Sequence, residues 1–216
     1  MDIVVYTANM DRYDELPPVS GGRYVCFADQ PLEADGWEVR MVDRVLNHPK
    51  AEALRFKCLP HLSFPDADAW IWMDAHLSYK GTPDELLELA GDHEIATCPH
   101  PLYNCVYAEM RETVRARYRN TDPLRVREQE KGLLGLGYPA ENGLALTTLM
   151  VRRNTPAVRQ MNEAWWADIC RWHTWRDQFS FDPVCWQLGL EYGHIVYGDL
   201  RYDPDFDWKG HKCASS

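Results

Sequence analysis

Residues 69–76 read Ala69-Trp70-Ile71-Trp72-Met73-Asp74-Ala75-His76, five apolar residues followed at once by a carboxylate and, two positions on, an imidazole. An unbroken apolar run of this length leaves no polar face, so it reads as a strand buried on both sides, as in a parallel sheet covered by helices. In open sheets of that kind ligands sit beyond the carboxyl ends of the strands, which makes residues 74–76 a candidate site. The flanking sequence repeats the theme. Residues 2–7 form a short β-branched run ending in the polar turn Ala8-Asn9-Met10-Asp11. Residues 23–28 form a second run, closed by Asp29-Gln30-Pro31, and residues 37–42 a third.

Helical stretches separate further strands. Residues 49–59 carry Ala53, Leu54 and Cys58 at helical spacing, with Pro49 at a helix start. Thr82-Pro83-Asp84-Glu85 combines a hydroxyl N-cap, proline at the first helical position and first-turn acids. Residues 93–98 read as a strand, 104–131 as helix interrupted near Thr121-Asp122-Pro123, and 144–151 as a strand. Thr155-Pro156 opens a helix reaching residue 172, and residues 177–188 predict another. This alternation, without repeat or linker, predicts one α/β domain over residues 1–216.

Composition narrows the function. The chain has 33 acidic and 23 basic residues, a net charge of −10, which argues against a nucleic-acid groove or an anionic membrane surface. Seven cysteines, at 26, 58, 98, 105, 170, 185 and 213, include no CxxC pair, so neither a disulfide framework nor a zinc ribbon is expected. The opening Met1-Asp2-Ile3-Val4-Val5-Tyr6 reads as a strand rather than a targeting signal, and no apolar run is long enough to span a bilayer. The expectation is a reduced, cytoplasmic protein.

Candidate chemistry lies just after the strands: Thr7, Ala8 and Asn9, then Asp29, then Asp74 and His76, then His100. At a strand end, positions i and i+2 project to the same side, so Asp74 and His76 would face one ligand or one borderline metal ion. The plain alternative is a turn-capping Asp and an ordinary loop His. Arg55 and Lys57 would meet phosphates, or form a solvated helix face. Asn142, in Glu141-Asn142-Gly143, would bind sugar hydroxyls or simply make an Asn-Gly turn. Asp177, in Arg176-Asp177-Gln178, would face the reaction centre or cap its helix. Trp165, Trp166, Trp172 and Trp175 would stack on sugars or pack a core. The G-x-S-x-G, Walker A and H-E-x-x-H patterns are missing, and Gly135-Leu-Gly137 lacks the strand and third glycine of a dinucleotide loop.

Taken in order, several of these segments resemble a known family. They are residues 4–8 (Val-Val-Tyr-Thr-Ala), 24–29 (Tyr-Val-Cys-Phe-Ala-Asp), 36–40 (Gly-Trp-Glu-Val-Arg), Arg55-Phe-Lys57, Leu59-Pro-His61, Phe64-Pro65 and Trp70-Ile-Trp72-Met-Asp74. Lys80-Gly81, His100-Pro101, residues 104–109 (Asn-Cys-Val-Tyr-Ala-Glu), Gly137-Tyr-Pro139, Glu141-Asn-Gly143 and residues 176–181 (Arg-Asp-Gln-Phe-Ser-Phe) continue the series. Together they resemble the DUF616 family, the TOD1/MUCI70 glycosyltransferase-like domain.

The resemblance implies a GT-A-type nucleotide-diphospho-sugar transferase fold, a twisted, mostly parallel sheet flanked by helices. It implies a nucleotide-diphospho-sugar donor and a hydroxyl acceptor (glycan, lipid or protein). It also implies a divalent ion, Mn²⁺ or Mg²⁺, held by an Asp-x-Asp at a strand end. Asp74 matches the first Asp; His76 stands at the second, a departure that removes a charge and weakens any Mg²⁺ preference. His211, in Trp208-Lys209-Gly210-His211, would complete the metal site. By the same likeness Thr7, Ala8 and Asn9 line the nucleotide, Asp29 the base or ribose, and Arg55 and Lys57 the diphosphate. Asn142, Asp177 and Gln178 face the sugar or acceptor, with Asp177 activating the acceptor or steadying an oxocarbenium-like sugar. Two other readings compete: a silent nucleotide- or sugar-binding module, motivated by the Asp-x-His departure, and a metal-dependent hydrolase. Metal-indifferent binding would mark the first, and turnover of an ester or amide without nucleotide-sugar binding the second. The net charge does not exclude a diphosphate ligand, because Lys50, Arg55 and Lys57 concentrate positive charge locally, as do the arginines of residues 111–127.

Overall fold

The apolar run of residues 69–73 is the fourth strand of a seven-stranded sheet in a computed structural model that describes residues 1–116 and 121–209. The strands are β1 (Ile3–Asn9), β2 (Arg23–Ala28), β3 (Trp37–Met41), β4 (Ala69–Met73), β6 (Ile95–Pro99), β7 (Ala145–Arg153) and β8 (Gly193–His194). They lie in the order β3-β2-β1-β4-β7-β6-β8. The pairings β1 with β2, β1 with β4, β2 with β3 and β6 with β8 are parallel, whereas β7 runs against both β4 and β6. The expected mostly parallel α/β sheet is therefore present, with one reversed strand near its centre. A second, small antiparallel sheet joins β5 (Leu77–Tyr79) to β9 (Phe206–Trp208).

The α-helices of the described residues are α1 (Pro49–Cys58), α2 (Pro60–Ser63), α3 (Pro83–Leu89), α4 (Val106–Arg115), α5 (Pro123–Gly135), α6 (Pro156–Trp172) and α7 (Gln178–Leu188), and two short 3-10 turns lie at Met10–Arg12 and Leu200–Tyr202. Strand alternation divides the core. Ile3 and Val5 of β1 pack with Leu86 and Leu87 of α3, while Val4 and Tyr6 pack with Leu54 of α1, Trp165 of α6 and Phe181 of α7. Both faces are thus buried, as the apolar strand at 69–73 requires, and each large side chain so buried contributes roughly 1.5–3 kcal/mol. The cap at Thr82 is a full capping box, its hydroxyl accepting from the Glu85 N–H while the Glu85 carboxylate accepts from the Thr82 N–H. The helical pattern of 104–131 resolves into α4 and α5, with Asp122 capping α5 through the Leu124 N–H, and the two helices share a satellite core.

The reversed strand has a consequence for the site. Because β7 is antiparallel, its first residues, not its last, lie at the carboxyl end of β4: Met73 pairs with Leu149, and the Asp74 N–H donates to the Thr148 carbonyl at 2.9 Å. The tryptophans mostly follow the core reading. Trp165 is fully buried and Trp172 donates to the Asp168 carboxylate, while Trp175 is half-buried beside the His48 ring. Six cysteines among the described residues are free; four of them are buried. Among the described residues no helix is long and apolar enough to cross a membrane.

Candidate active site

Lys57 lies in the last turn of α1, where orphan carbonyls gather partial negative charge. Its own carbonyl is held by two buried donors, the Tyr6 hydroxyl at 2.8 Å and the Arg152 guanidinium at 2.7 Å. Arg152 also donates to the Asn162 side-chain oxygen at 2.6 Å and to the Tyr6 hydroxyl. Across the site, the Asp177 carbonyl accepts from the Trp165 indole at 2.9 Å. Buried groups therefore pin both backbones before the side chains meet.

The side chains meet closely. The Lys57 ammonium lies 2.5 Å from Asp177 Oδ2, the Thr147 hydroxyl donates to that same oxygen at 2.7 Å, and Lys57 donates to Thr147 Oγ1 at 3.2 Å. The pair is sequestered, the Lys57 side chain being 4% exposed and that of Asp177 12%. Asp74 opens the site to solvent, its side chain 29% exposed. Asp74 Oδ1 accepts from the Trp72 indole at 2.7 Å and lies 3.8 Å from the Lys57 ammonium. That ammonium also stands over the Trp72 ring, 5.4 Å from its centroid.

Charge dictates the protonation states. Burial alone would raise the Asp177 carboxyl, but the ammonium groups of Lys57 and Lys50 and the hydrogen bonds from Lys57 and Thr147 outweigh it and hold it well below the usual carboxylate range. Lys50 is pushed down to about 8, first by burial and then by repulsion from Arg176 and Lys57, with Asp177 and Asp74 offsetting part of it. Arg176 is bound to Glu109 at 2.5 Å, and Glu109 lies 3.8 Å from His100 Nε2. His100 is pulled down by burial despite the Glu109 carboxylate. Its Nδ1 accepts from the Leu102 and Tyr103 N–H groups, which leaves the proton of the neutral ring on Nε2, facing Glu109.

Of the residues expected from sequence, Lys57, Asp74 and Asp177 converge. Gln178 stands beside them and donates to the Ala145 carbonyl at 3.3 Å. Asn142 is exposed in the turn before β7, with its amide 3.4 Å from the Tyr138 hydroxyl. At the end of β1, Thr7 is buried and its hydroxyl finds no hydrogen-bond partner among the described residues, while Ala8 is half-buried. Asn9 clamps the following loop, donating to the Asp14 carbonyl at 2.8 Å and accepting from the Asp14 N–H at 3.1 Å. Asp29 accepts from the Asp11 N–H at 2.8 Å and pairs with Arg44 at 2.9 Å. Arg55 turns instead to the buried Glu52 carboxylate and lies over the Phe56 ring, so the helix carries Lys57, not Arg55, into the site.

The Asp74-Ala75-His76 geometry differs from the strand rule. The Leu77 N–H donates to the Asp74 carbonyl at 2.9 Å, so a tight turn replaces continued strand and the two-residue periodicity lapses. The His76 side chain is buried, edge-on to Trp208 with ring centroids 4.6 Å apart, and its Nδ1 lies 3.6 Å from Asp14. His211 lies outside the described residues. Among the described residues no three His, Cys, Asp or Glu side chains gather to hold a metal ion. With Asp74 engaged by an indole and facing an ammonium, and His76 packed under Trp208, the described residues do not fit a divalent ion held by an Asp-x-His pair.

Sequence reasoning passed over Thr147 and Glu109. Thr147 gave no signal because strand direction cannot be read from side-chain alternation, which has period two either way. Lys50 was legible as a charge, and Glu109 as part of the family-like run at 104–109, but only the fold aims them here.

A family model described as TOD1/MUCI70, glycosyltransferase-like domain, matches residues 36–197, a stretch that includes Lys50, Lys57, Asp74, Glu109, Thr147, Arg176 and Asp177. No curated protein matches the chain.

Proposed function

The chain belongs to the TOD1/MUCI70 glycosyltransferase-like family, and on that premise we propose that it moves a sugar from a nucleotide-diphospho-sugar donor to a hydroxyl acceptor at the Lys57–Asp177 site. The observation that carries this reading is the Lys57 ammonium held between two carboxylates beyond the carboxyl end of β4, Asp177 at 2.5 Å and Asp74 at 3.8 Å. In a GT-A-type arrangement the nucleotide would lie over the ends of β1 and β2, near Thr7, Ala8, Asn9 and Asp29, with the diphosphate toward the lysines. Asn142 and Gln178 would border the sugar and acceptor, which is a glycan, lipid or protein hydroxyl.

In transfer, the bond between the anomeric carbon and the diphosphate oxygen breaks and its electron pair leaves with the diphosphate. The acceptor oxygen bonds to that carbon and gives up its proton to the departing diphosphate. Ammonium groups fixed beside the leaving oxygens stabilise the charge that develops there. Asp177, held ionised and tied to Lys57, is a weak base, so its role is to place Lys57 and steady positive charge on the sugar.

The test is release of nucleoside diphosphate from a panel of UDP- and GDP-sugars, with and without simple sugar acceptors. Turnover by the wild type, lowered roughly 100-fold or more in Asp177→Asn, supports the reading. A folded wild type that turns over none of the panel contradicts it. The burial of His76 favours one second reading, a silent module that binds nucleotide-sugars without turnover.

A further inference from the structure

We propose that the cation beneath the donor diphosphate is the Lys57 ammonium itself, standing where a divalent ion would otherwise lie, so that the site holds its diphosphate without metal. This rests on the transfer reading and specifies how that site meets its ligand.

Three observations carry it. First, the ammonium already occupies the space between the two carboxylates, 2.5 Å from Asp177 and 3.8 Å from Asp74. An ion bridging those carboxylates would sit against a resident positive charge, and like charges this close in a partly buried site repel strongly. Second, among the described residues the donor set lacks partners for an ion. Asp74 Oδ1 accepts from the Trp72 indole, and His76 is packed under Trp208, beyond the turn that follows Asp74. Third, Lys57 has a donor to spare. An ammonium carries three N–H groups; two are directed to Asp177 and Thr147, and the third faces Asp74 at a distance too long for a hydrogen bond. A phosphate oxygen at the usual charge-assisted distance, about 2.8 Å, completes it better than the carboxylate does.

The surrounding charge agrees. Lys50 also feels the charges of Lys57, Asp177 and Asp74, so a phosphate arriving at Lys57 is attracted by it as well. The tether is firm, because the Lys57 carbonyl is held by Tyr6 and Arg152 and the Asp177 carbonyl by Trp165.

The experiment is calorimetric titration of the full chain with pyrophosphate, UDP and GDP, in EDTA and again with MnCl₂, alongside MnCl₂ titrated alone. The proposal expects a diphosphate affinity in EDTA within about threefold of that with Mn²⁺, and no saturable binding of Mn²⁺ alone. Lys57→Met is expected to weaken diphosphate binding more than about tenfold, and Lys57→Arg to retain most of it. Circular dichroism shows whether the variants fold; should Lys57→Met unfold, the chelation comparison on the wild type decides by itself. Binding that EDTA weakens more than about tenfold overturns the proposal while leaving the transfer reading standing in a metal-assisted form. Absence of diphosphate binding under both conditions overturns both.

Discussion

Asp177 and Lys57 approach to 2.5 Å in a site where each is nearly sealed from water, so removing either leaves the other charge buried without its partner. Lys57→Met is expected to cost about 3–5 kcal/mol of stability, and the isosteric Asp177→Asn less, as read by urea unfolding. Equal stability of all three proteins would show that the pair contributes nothing to the fold. Protonation gives two further tests. The Asp177 carboxyl is depressed in the fold, so its contribution is present above the ordinary carboxyl value near about 4 and is lost as pH falls below it. Wild type should therefore lose more stability than Asp177→Asn between about pH 5 and pH 2, and parallel acid profiles would refute the assignment. Lys50 is depressed to about 8, so its charge is lost as pH rises through that value, and diphosphate affinity should fall with it. A Lys50→Gln variant should show a flatter profile over the same range; an unchanged slope would remove Lys50 from the site. At this scale sequence and family likeness named Asp177, Lys57 and Asp74, and the fold brings the three together. They misdirected His76, because a tight turn at Asp74 is invisible to strand periodicity.

The elements explain why these side chains stand where they do. The final turn of α1 is pinned at the Lys57 carbonyl by Tyr6 of β1 and Arg152 of β7, and the residue preceding α7 is pinned by Trp165 of α6. Trp165→Phe keeps most of the buried ring and deletes the indole donor. It should cost about 1–2 kcal/mol and slow turnover with little change in diphosphate affinity. Loss of stability alone, with turnover intact, would make Trp165 a packing residue only. Much of the element order was legible in the sequence: the capping box at Thr82, the break at Asp122 and the doubly buried strand at 69–73 all rest on local chemistry. The direction of β7 was not. A buried run reads the same whichever way it points, and only the reversed direction brings Thr147 to the lysine.

Across the whole molecule the charge of −10 remains, yet at the site the cations Lys57 and Arg176 are matched by Asp177 and Glu109, with Asp74 beside Lys57. Such a protein should bind a diphosphate while ignoring polyanions, because a polyanion must also lie against the acidic remainder. Duplex DNA and heparin should therefore fail to displace a bound nucleoside diphosphate. Competition by either would point to a surface stripe of cations instead of a pocket. Whether a donor diphosphate is held at Lys57, beyond the end of β4, is decided by a crystal structure of the full chain with a nucleoside diphosphate bound. Phosphate oxygens are expected within hydrogen-bonding distance of the Lys57 ammonium, with Asp177 still beneath it. A diphosphate bound elsewhere, with the Lys57–Asp177 pair untouched, would contradict this.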